Sequence, residues 1–454
     1  MGQAHAQANY DAAVLGGRAA MMGGASTARG SDGAVLFTNP AGITRIPGES
    51  FSFGTVAAAF SQRFVRDTTD PHQKFGFDSP GTTELDFRIL PNTFCLFLDG
   101  SPRDRNSQRS RHKYGICVAD VEQESFATNE NRLSELGALS ISSRYQFRRT
   151  TGIASWGLEL FRGMSIGVSA RLENTGLDDT TTESVLYGDS SQVFGHSRRG
   201  LSWDSSVTIG LTHLISKHVT LGASLTTPSQ HILGFYKGSN SVLMGGDSEL
   251  KLTQDDGDFS YTTPAALRLG VAFAWPSFNL EFDANIYASD NAIGRARFTR
   301  TSLLAGETNI GRTEIVEPAR PLTNISVGIE RFVQRDFSVL AGFQTDFTGL
   351  APRTDGLARE SLFRQERDSY SLAIGVSSYG SQGSILLGLR GTYSYGTALV
   401  PEPASSEGVF VSLPQSRYTI ALILAGQLSF EGVRDTALRA ASPLLRNSKG
   451  DHEQ

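Results

Sequence analysis

The clearest pattern in the sequence is an alternation of apolar and polar positions between Tyr418 and Phe430. Every second residue is apolar, with an aromatic residue at each end, and the residues between are smaller or more polar. Side chains of a β-strand point alternately to the two sides of a sheet, so this stretch predicts a strand with one apolar face. Such a face is typical of a strand that crosses a membrane in a barrel. A half-buried strand of a soluble sandwich would show the same alternation.

The alternation recurs along the chain from Glu49 onward. It predicts fourteen strands, an even number, which an antiparallel barrel needs if both of its ends are periplasmic. Very short turns alternate with long polar stretches, a regularity that is typical of outer-membrane barrels and has no cause in a soluble sandwich. The long stretches, predicted to be external loops, are roughly 177–199, 236–259, 290–320, 350–367 and 398–415. The predicted strands are 50–64, 83–98, 113–124, 145–161, 164–176, 200–215, 218–235, 260–275, 277–289, 321–333, 336–349, 368–379, 384–397 and 416–430.

Charged residues in the predicted strands indicate which face points inward. Arg268 and Asp283 stand on the polar faces of their strands, and lipid hydrocarbon strongly disfavours charge, so the polar faces line a lumen. Arg171, Arg268 and Arg390 are candidates to hold an anionic headgroup there, because a guanidinium can bind a carboxylate through two parallel hydrogen bonds. The alternative is a network in which these arginines pair with lumen carboxylates, namely Glu281, Asp283 and Glu330.

The composition narrows the class of protein. The chain has 454 residues, of which 48 are glycine and 39% are hydrophobic. No apolar run approaches the roughly 18–20 residues of a membrane-spanning helix, which leaves a closed barrel as the way to satisfy every backbone group in lipid. A net charge of −5 does not indicate nucleic-acid binding. The eight histidines show no paired metal-ligand spacing, so we expect no metal and no other cofactor.

The region that precedes the first predicted strand differs from the rest. Residues 9–48 lack sustained alternation and are rich in glycine and alanine, which suits a compact segment in a confined space. The stretch GGRAAMMGGAST…SDGAVLFTNPAGITRIPG resembles the N-terminal "hatch" of the FadL family, the outer-membrane transporters of long-chain fatty acids and other hydrophobic compounds. Asn39, Pro40 and Ala41 match the Asn-Pro-Ala motif of that family, with Gly42 following. The resemblance covers Asn9 to Phe430.

The resemblance implies an all-β protein, a 14-stranded antiparallel transmembrane β-barrel in the bacterial outer membrane with an N-terminal plug in its lumen. Residues 1–48 would form the plug, with 1–8 resembling the end of a secretory signal. Residues 49–430 would form the barrel and 431–454 a periplasmic tail. The implied function is passive transport of long-chain fatty acids or other hydrophobic small molecules by a monomer. Its other expected partners are outer-membrane lipid, lipopolysaccharide and the barrel assembly machinery.

Two other functions stay open on the sequence. The plugged barrel could bind secreted proteins, as some relatives in secretion systems do, or it could be a general porin. An apolar pocket would favour the transporter, a solid plug without a cavity the binding protein, and an open hydrated pore the porin. The family can also release its ligand sideways through a gap at a kink in the third strand. Here that strand, near 113–124, has Gly115 but no obvious breaker, which gives lateral exit no support.

Two local motifs suggest other chemistry. The stretch from Gly163 to Gly167 fits the G-x-S-x-G nucleophile pattern, which requires a sharp turn from strand to helix. Ser165 instead lies in an alternating strand, directly after a two-residue turn. We therefore predict that Ser165 is not catalytic and that the protein is not an enzyme. The turn 99–113 carries several basic residues that could bind phosphate, and the alternative is a solvated basic loop. Those residues are Arg103, Arg105, Arg109, Arg111, His112 and Lys113.

The two cysteines lie in the hairpin between the second and third predicted strands. A turn centred near Asn106 places Leu96 opposite Ile116 on the lipid face, and therefore Cys95 opposite Cys117 on the lumen face. Opposed Cβ atoms lie about 4.5–5.5 Å apart, near disulfide range, and the expected compartment is oxidising. We predict that the cysteines face one another, either bonded or as neighbouring thiols.

Overall fold

The structure is a computed structural model of the 454-residue chain. It describes residues 9–11, 13, 15–65, 82–87, 92–100, 111–134, 137–187, 190–244, 249–289, 292–304, 307–351, 357–358, 361–363, 365–380, 383–401 and 410–430. The predicted signal remnant 1–8 and the predicted tail 431–454 lie outside these residues.

Three short helices precede a series of strands. The helices are α1 (Arg18–Met21), α2 (Val35–Thr38) and a 3-10 helix over Pro40–Arg45. The strands are β1 (Ser50–Val65), β2 (Thr82–Phe87), β3 (Thr93–Asp99), β4 (His112–Ser134), β5 (Gly137–Phe161), β6 (Met164–Tyr187), β7 (Ser190–Leu214), β8 (Val219–Thr226), β9 (Gln230–Met244), β10 (Glu249–Tyr261), β11 (Ala266–Ala274), β12 (Phe278–Tyr287), β13 (Gly294–Leu304), β14 (Glu307–Glu317), β15 (Leu322–Gln334), β16 (Phe337–Asp346), β17 (Leu357–Ala358), β18 (Gln365–Gly380), β19 (Gly383–Pro401) and β20 (Phe410–Ser429).

In the described part of the chain these segments form a closed barrel of fourteen antiparallel wall strands. Five of these wall strands are each made of two consecutive segments. We count two segments as one wall strand where both pair with the same neighbouring wall strand, as β2 and β3 do with β1. The others are β8 with β9, β10 with β11, β12 with β13 and β14 with β15. The first and last strands close the wall from Ser50↔Ser429 to Val65↔Gln415. The predicted fourteen-stranded antiparallel β-barrel is confirmed.

The two faces of the wall differ as the alternation predicts. Leu267 and Leu269 are exposed on the outside, whereas Arg268 between them is only 7% exposed. Aliphatic and aromatic side chains cover the outside of the other strands too, while most buried charged residues point into the lumen. An apolar outer belt on a closed wall is the surface of a barrel embedded in lipid. None of the helices in the described part of the chain has the length and apolar character needed to cross a membrane.

The prediction of long external loops is largely wrong. Most of 177–199, 236–259 and 290–320 is strand, and the ladder between β6 and β7 continues to Tyr187↔Ser190. β5 and β7 each have 25 residues, about 80 Å of chain at about 3.3 Å per residue, against an apolar band about 25 Å tall. Beyond the lipid both faces of a strand contact water or polar groups. The apolar alternation therefore ends at the edge of the lipid, whereas the hydrogen-bonded ladder of the strands continues beyond it.

The hairpin of β3 and β4 has the predicted register. Leu96 lies opposite Ile116, Cys95 lies opposite Cys117, and the two cysteines form a disulfide with their Cα atoms 4.1 Å apart. Both cysteines are fully buried on the lumen side. The sequence left the bond open, and the structure shows that it forms.

The basic turn 99–113 is described only at its ends, because residues 101–110 lie outside the described part of the chain. Lys113 is buried rather than solvated. Its ammonium lies 2.9 Å from Asp99 Oδ1 and donates to the carbonyl oxygens of Ile46 and Gly48. Lys113 thus joins the wall to the chain that precedes β1, and for this residue the interpretation as a solvated loop is wrong.

Candidate functional site in the barrel lumen

Residues 9–48, the N-terminal segment, lie against the lumen face of the wall. Close approach is possible because glycines occupy many of the contact positions. A Cβ on Gly167 would lie 2.4 Å from the carbonyl carbon of Pro40, and one on Gly342 would lie 2.1 Å from the nitrogen of Gly23. Wall glycines of this kind occur in most of the wall strands, and we call them the glycine belt. They are Gly54, Gly115, Gly157, Gly167, Gly210, Gly222, Gly270, Gly328, Gly342, Gly375 and Gly388.

The Asn-Pro-Ala-Gly stretch occupies one of these contacts. Asn39 is fully buried, and its Nδ2 donates to Thr27 O at 2.8 Å and to Leu211 O on β7 at 3.0 Å. Its Oδ1 accepts from Ala41 N at 3.2 Å and caps the 3-10 helix that Pro40 begins. One amide side chain therefore joins two parts of the N-terminal segment to the wall.

The other residues of the motif pack closely. Pro40, Ala41 and Gly42 are all buried. A Cβ on Gly42 would lie 3.1 Å from a methyl carbon of Val35, so this position leaves little room for a larger residue.

Two wall carboxylates on β12 hold the backbone of the N-terminal segment. Asp283 Oδ2 accepts from the backbone N–H groups of Ser26 and Thr27 at 2.8 and 2.9 Å. Glu281 Oε1 accepts from those of Ala28 and Arg29 at 2.8 and 2.9 Å. We call Glu281 and Asp283 the carboxylate clamp. Each of these carboxyl oxygens satisfies two buried backbone donors at once.

The proposed network between the lumen arginines and three carboxylates is therefore not the arrangement observed. Glu281 and Asp283 bind backbone N–H groups, and Glu330 pairs with Arg18 of the N-terminal segment at 2.9 Å. These three acids bind the N-terminal segment, whose position the strand pattern does not predict.

Asp32 organises the interior of the N-terminal segment. Its two carboxylate oxygens accept from Ala19 N at 3.0 Å and from Ala34 N at 3.1 Å. Burial raises the pKa of this carboxyl, while the two backbone donors and the charge of Arg18 act in the opposite direction. Asp32 thereby joins the starts of the two helical turns.

The three predicted arginines line one cavity of about 70 Å³ between the N-terminal segment and the wall. Arg171 donates to Phe37 O, Arg268 to the Tyr287 hydroxyl at 3.1 Å, and Arg390 to Gln344 Oε1 at 3.1 Å. Arg149, which the sequence analysis did not single out, is a fourth arginine in the lining. The lining is Tyr10, Asp11, Ala13, Leu15, Ala19, Ala20, Gly24, Ser26, Ala34, Phe37, Thr38, Val121, Arg149, Thr151, Arg171, Glu173, Arg268, Asn285, Gln344 and Arg390.

Several guanidinium nitrogens at this cavity have no hydrogen-bond acceptor. They are Nε and Nη1 of Arg149, Nε of Arg171, and Nε and Nη1 of Arg268. Asp11 Oδ1 is 4.0 Å from Arg268 Nη2, and Glu122 Oε2 is 3.7 Å from Arg149 Nε. Buried donors without acceptors are costly, so a ligand oxygen or water at this position is favoured. Apolar side chains, among them those of Ala13, Leu15 and Phe37, also line the cavity.

Among the described residues, the pairing between the second and third wall strands is interrupted beside this cavity. The ladder between β3 and β4 ends at Thr93↔Ala119, and β4 has an extra residue at Val121, where its register against β5 shifts. In the described part of the chain β2 pairs with β1 alone. The sequence shows no obvious breaker in the third strand, and the structure nevertheless has a bulge in it. No glycine or proline marks the bulge in the sequence. Val121, at the bulge, lines the cavity.

Two larger clefts of about 590 and 560 Å³ also border the N-terminal segment, and Arg18, Ser31 and Tyr379 line both of them. Ser165 lies in the smaller cleft, inside β6, and its Oγ accepts from Thr44 Oγ1 at 2.9 Å. The position is a contact between strand and N-terminal segment, and it lacks the strand-to-helix turn of a nucleophile.

Replacing Asn39 with alanine is expected to loosen the N-terminal segment without unfolding the barrel. The change leaves the Leu211 carbonyl and the Ala41 N–H without their side-chain partner, at about 1–3 kcal/mol. Heat stability in detergent should be unchanged, whereas proteolysis of the N-terminal segment should be faster and uptake of a hydrophobic probe altered. Asn131→Ala on an exposed strand is the matched control. Equal proteolysis of both variants would contradict the role of Asn39.

No protein-family model matches the sequence, and no curated protein matches it either. Solved structures do match. A FadL homologue of Pseudomonas aeruginosa aligns over 95% of this chain and 99% of its own at a TM-score of 0.55 and 13% identity. The toluene transporter TodX of Pseudomonas putida aligns over 93% and 100% at a TM-score of 0.60 and 16% identity.

A third match is the toluene transporter TbuX of Ralstonia pickettii, which aligns over 93% of this chain and 99% of its own at a TM-score of 0.54 and 13% identity. Identity this low shows shared architecture and leaves function to be argued from the site. The chain has the fold of the FadL homologue and of these toluene transporters over nearly its whole length.

Proposed function

We propose that the protein is a passive transporter of hydrophobic small molecules in a bacterial outer membrane, and that its ligands include long-chain fatty acids or other molecules with an anionic group. The observation that carries this proposal is the lumen cavity, where guanidinium donors without acceptors share the lining with apolar side chains. An amphipathic acid presents the complementary pair of surfaces, a carboxylate for the arginines and an apolar chain for the apolar side chains.

The size of the cavity indicates a closed state. About 70 Å³ accommodates a small polar group, whereas a pocket for a whole ligand has roughly 300–1,000 Å³. A bound molecule therefore requires the N-terminal segment to move, which gives this segment the role of a plug. The split beside Val121 is the exit that we propose, because it reaches the same cavity.

The alternatives fit the lumen less well. A general porin needs an open hydrated pore, and here the N-terminal segment packs onto the glycine belt. A barrel that only binds secreted proteins needs no cationic cavity in its lumen. Neither alternative accounts for the four arginines, and we propose no catalytic role.

The proposal is tested by flux into liposomes that contain the purified protein. We expect a fluorescent long-chain fatty acid to enter these liposomes several-fold faster than protein-free liposomes, with saturation, while a small hydrophilic sugar does not enter. Sugar flux through the intact protein would favour the porin. Equal fatty-acid flux with and without the protein would refute the transporter.

A further inference from the structure

The smaller of the two larger clefts, with a volume of about 560 Å³, lies at the end of the barrel that carries the short turns. Arg162 and Lys217, which lie in two of these turns, line it from the wall. The N-terminal segment contributes Arg29 and Arg45 to the same lining. Short turns face the periplasm in outer-membrane barrels, so we call this space the periplasmic cleft.

Positive charge is in excess in the periplasmic cleft. Among the described residues that line it, five are arginine or lysine and two are glutamate. The carboxylate of Glu330 already has partners, because Arg18 Nε donates to its Oε2 at 2.9 Å and the Tyr379 hydroxyl donates to its Oε1. Once Arg18 is paired with Glu330, four cations and one carboxylate, that of Glu159, remain in the lining.

The guanidinium of Arg29 is the partly buried cation of this lining. Within the described part of the chain, no side chain forms an ion pair or a hydrogen bond with it. Burial and the like charge of Arg18 lower the pKa of Arg29, whereas the charges of Glu281 and Glu330 act in the opposite direction. Burial of a charge without a paired group is unfavourable, so an anion beside Arg29 is favoured.

The lining of the periplasmic cleft suits carboxylates better than it suits an alkyl chain. Leu214 and Phe332 are the large aliphatic or phenyl side chains among its described residues, and the others are small, polar or charged. The described residues of this lining and those of the arginine cavity are two separate sets. A guanidinium binds a carboxylate through two parallel hydrogen bonds, and clusters of arginine recognise acidic segments of peptides.

We propose that the periplasmic cleft binds an acidic peptide segment of a periplasmic protein, whose carboxylates pair with Arg29, Arg162 and Lys217. Its volume of about 560 Å³ lies within the range of roughly 300–1,000 Å³ that is usual for ligand pockets. Arg29 belongs to the N-terminal segment, whereas Arg162 and Lys217 belong to the wall. A peptide bound to all three therefore joins the N-terminal segment to the wall and restrains it. This site does not depend on the proposed transport.

The site is tested by fluorescence anisotropy of a labelled, end-capped hexaglutamate peptide with the purified full-length protein in a non-ionic detergent. We expect saturable binding that weakens as salt is added, whereas hexaglutamine should not bind. Arg29→Gln should weaken the binding of hexaglutamate about tenfold or more, and so should Arg162→Gln combined with Lys217→Gln. Arg335→Gln is the matched control, because Arg335 stands on another short turn and is not part of this lining. Equal affinities of Arg29→Gln and Arg335→Gln would overturn the proposal.

Limited proteolysis tests the consequence for the N-terminal segment. Hexaglutamate should slow cleavage of this segment several-fold in the native protein and should have no effect on cleavage in Arg29→Gln. The heat stability of Arg29→Gln should be native, because the Arg29 side chain has no described partner to lose. If hexaglutamate binds but leaves cleavage of the native protein unchanged, the proposed link between the segment and the wall is wrong.

A long-chain fatty acid also carries a carboxylate, so its binding distinguishes the two sources of this group. We expect Arg29→Gln to bind the fatty acid as tightly as the native protein does, because that carboxylate is proposed to bind in the arginine cavity. If Arg29→Gln weakens the binding of the fatty acid and of hexaglutamate equally, the cleft belongs to the transport path and the peptide site is refuted. A protein that binds hexaglutamate at Arg29 but carries no fatty acid would retain this site and refute the proposed transport.

Discussion

Replacing Glu281 and Asp283 together with alanine is expected to open the barrel to small hydrophilic solutes. The carboxylate clamp accepts from four consecutive backbone N–H groups of the N-terminal segment. Each buried N–H that loses its acceptor costs about 1–3 kcal/mol, so the double variant strongly disfavours the packed position of this segment. Conductance across a planar bilayer should rise from near zero to the level of a variant that lacks residues 1–48.

The matched control for the clamp is the double variant Glu281→Gln with Asp283→Asn. It keeps the shape and one acceptor oxygen on each side chain and replaces each carboxyl group by an amide, so its conductance should lie between those of the native protein and the alanine variant. Both variants should keep the heat stability of the barrel, because the wall ladders are intact. An alanine variant with native conductance would show that the clamp does not hold the plug.

The second large effect is expected at the cavity arginines. Replacing Arg171 and Arg268 with methionine removes donors that face the cavity while keeping most of the side-chain volume. A hydrogen bond to a charged group contributes about 1.5–3 kcal/mol, so binding of a long-chain fatty acid should weaken about 10- to 100-fold for each bond lost. Binding of a neutral hydrocarbon such as toluene should be nearly unchanged. Fluorescence titration of the purified variants measures both affinities.

An exposed arginine supplies the control for this experiment. Arg199 is solvent-accessible on β7 and pairs with Asp178 at 3.2 Å, so Arg199→Met should leave both affinities at the native level. If the double variant binds fatty acid as tightly as the native protein does, the arginines do not recognise the headgroup. If it loses toluene binding as well, their role is to shape the cavity.

The sequence predicts the wall well because lipid imposes a simple rule on it. Outside the barrel apolar side chains are required, so the alternation locates all fourteen strands and the inward orientation of Arg171, Arg268 and Arg390. The opposition of Cys95 and Cys117 follows from the same rule together with a turn centred near Asn106, which selects the register.

The lumen is less predictable, because its surface combines polar, charged and aromatic residues. Arg149 stands on an inward face that also carries Tyr145, Phe147 and Ile153, and there the alternation is obscured. Glycines of the belt have no side chain and indicate neither face. Asn39 and the partners of the clamp lie in a segment without periodicity. The sequence therefore does not predict which residues they contact.

The N-terminal segment also bears on the order in which the molecule is assembled. Gly16 lies against Gly54 of β1, and a Cβ on Gly17 would lie 2.4 Å from the Cβ of Ala425 on β20. These two strands form the seam that closes the barrel. Gly16 and Gly17 must therefore lie at the seam while it closes, or enter the lumen after closure. Closure of the seam and packing of this part of the N-terminal segment are thus coupled.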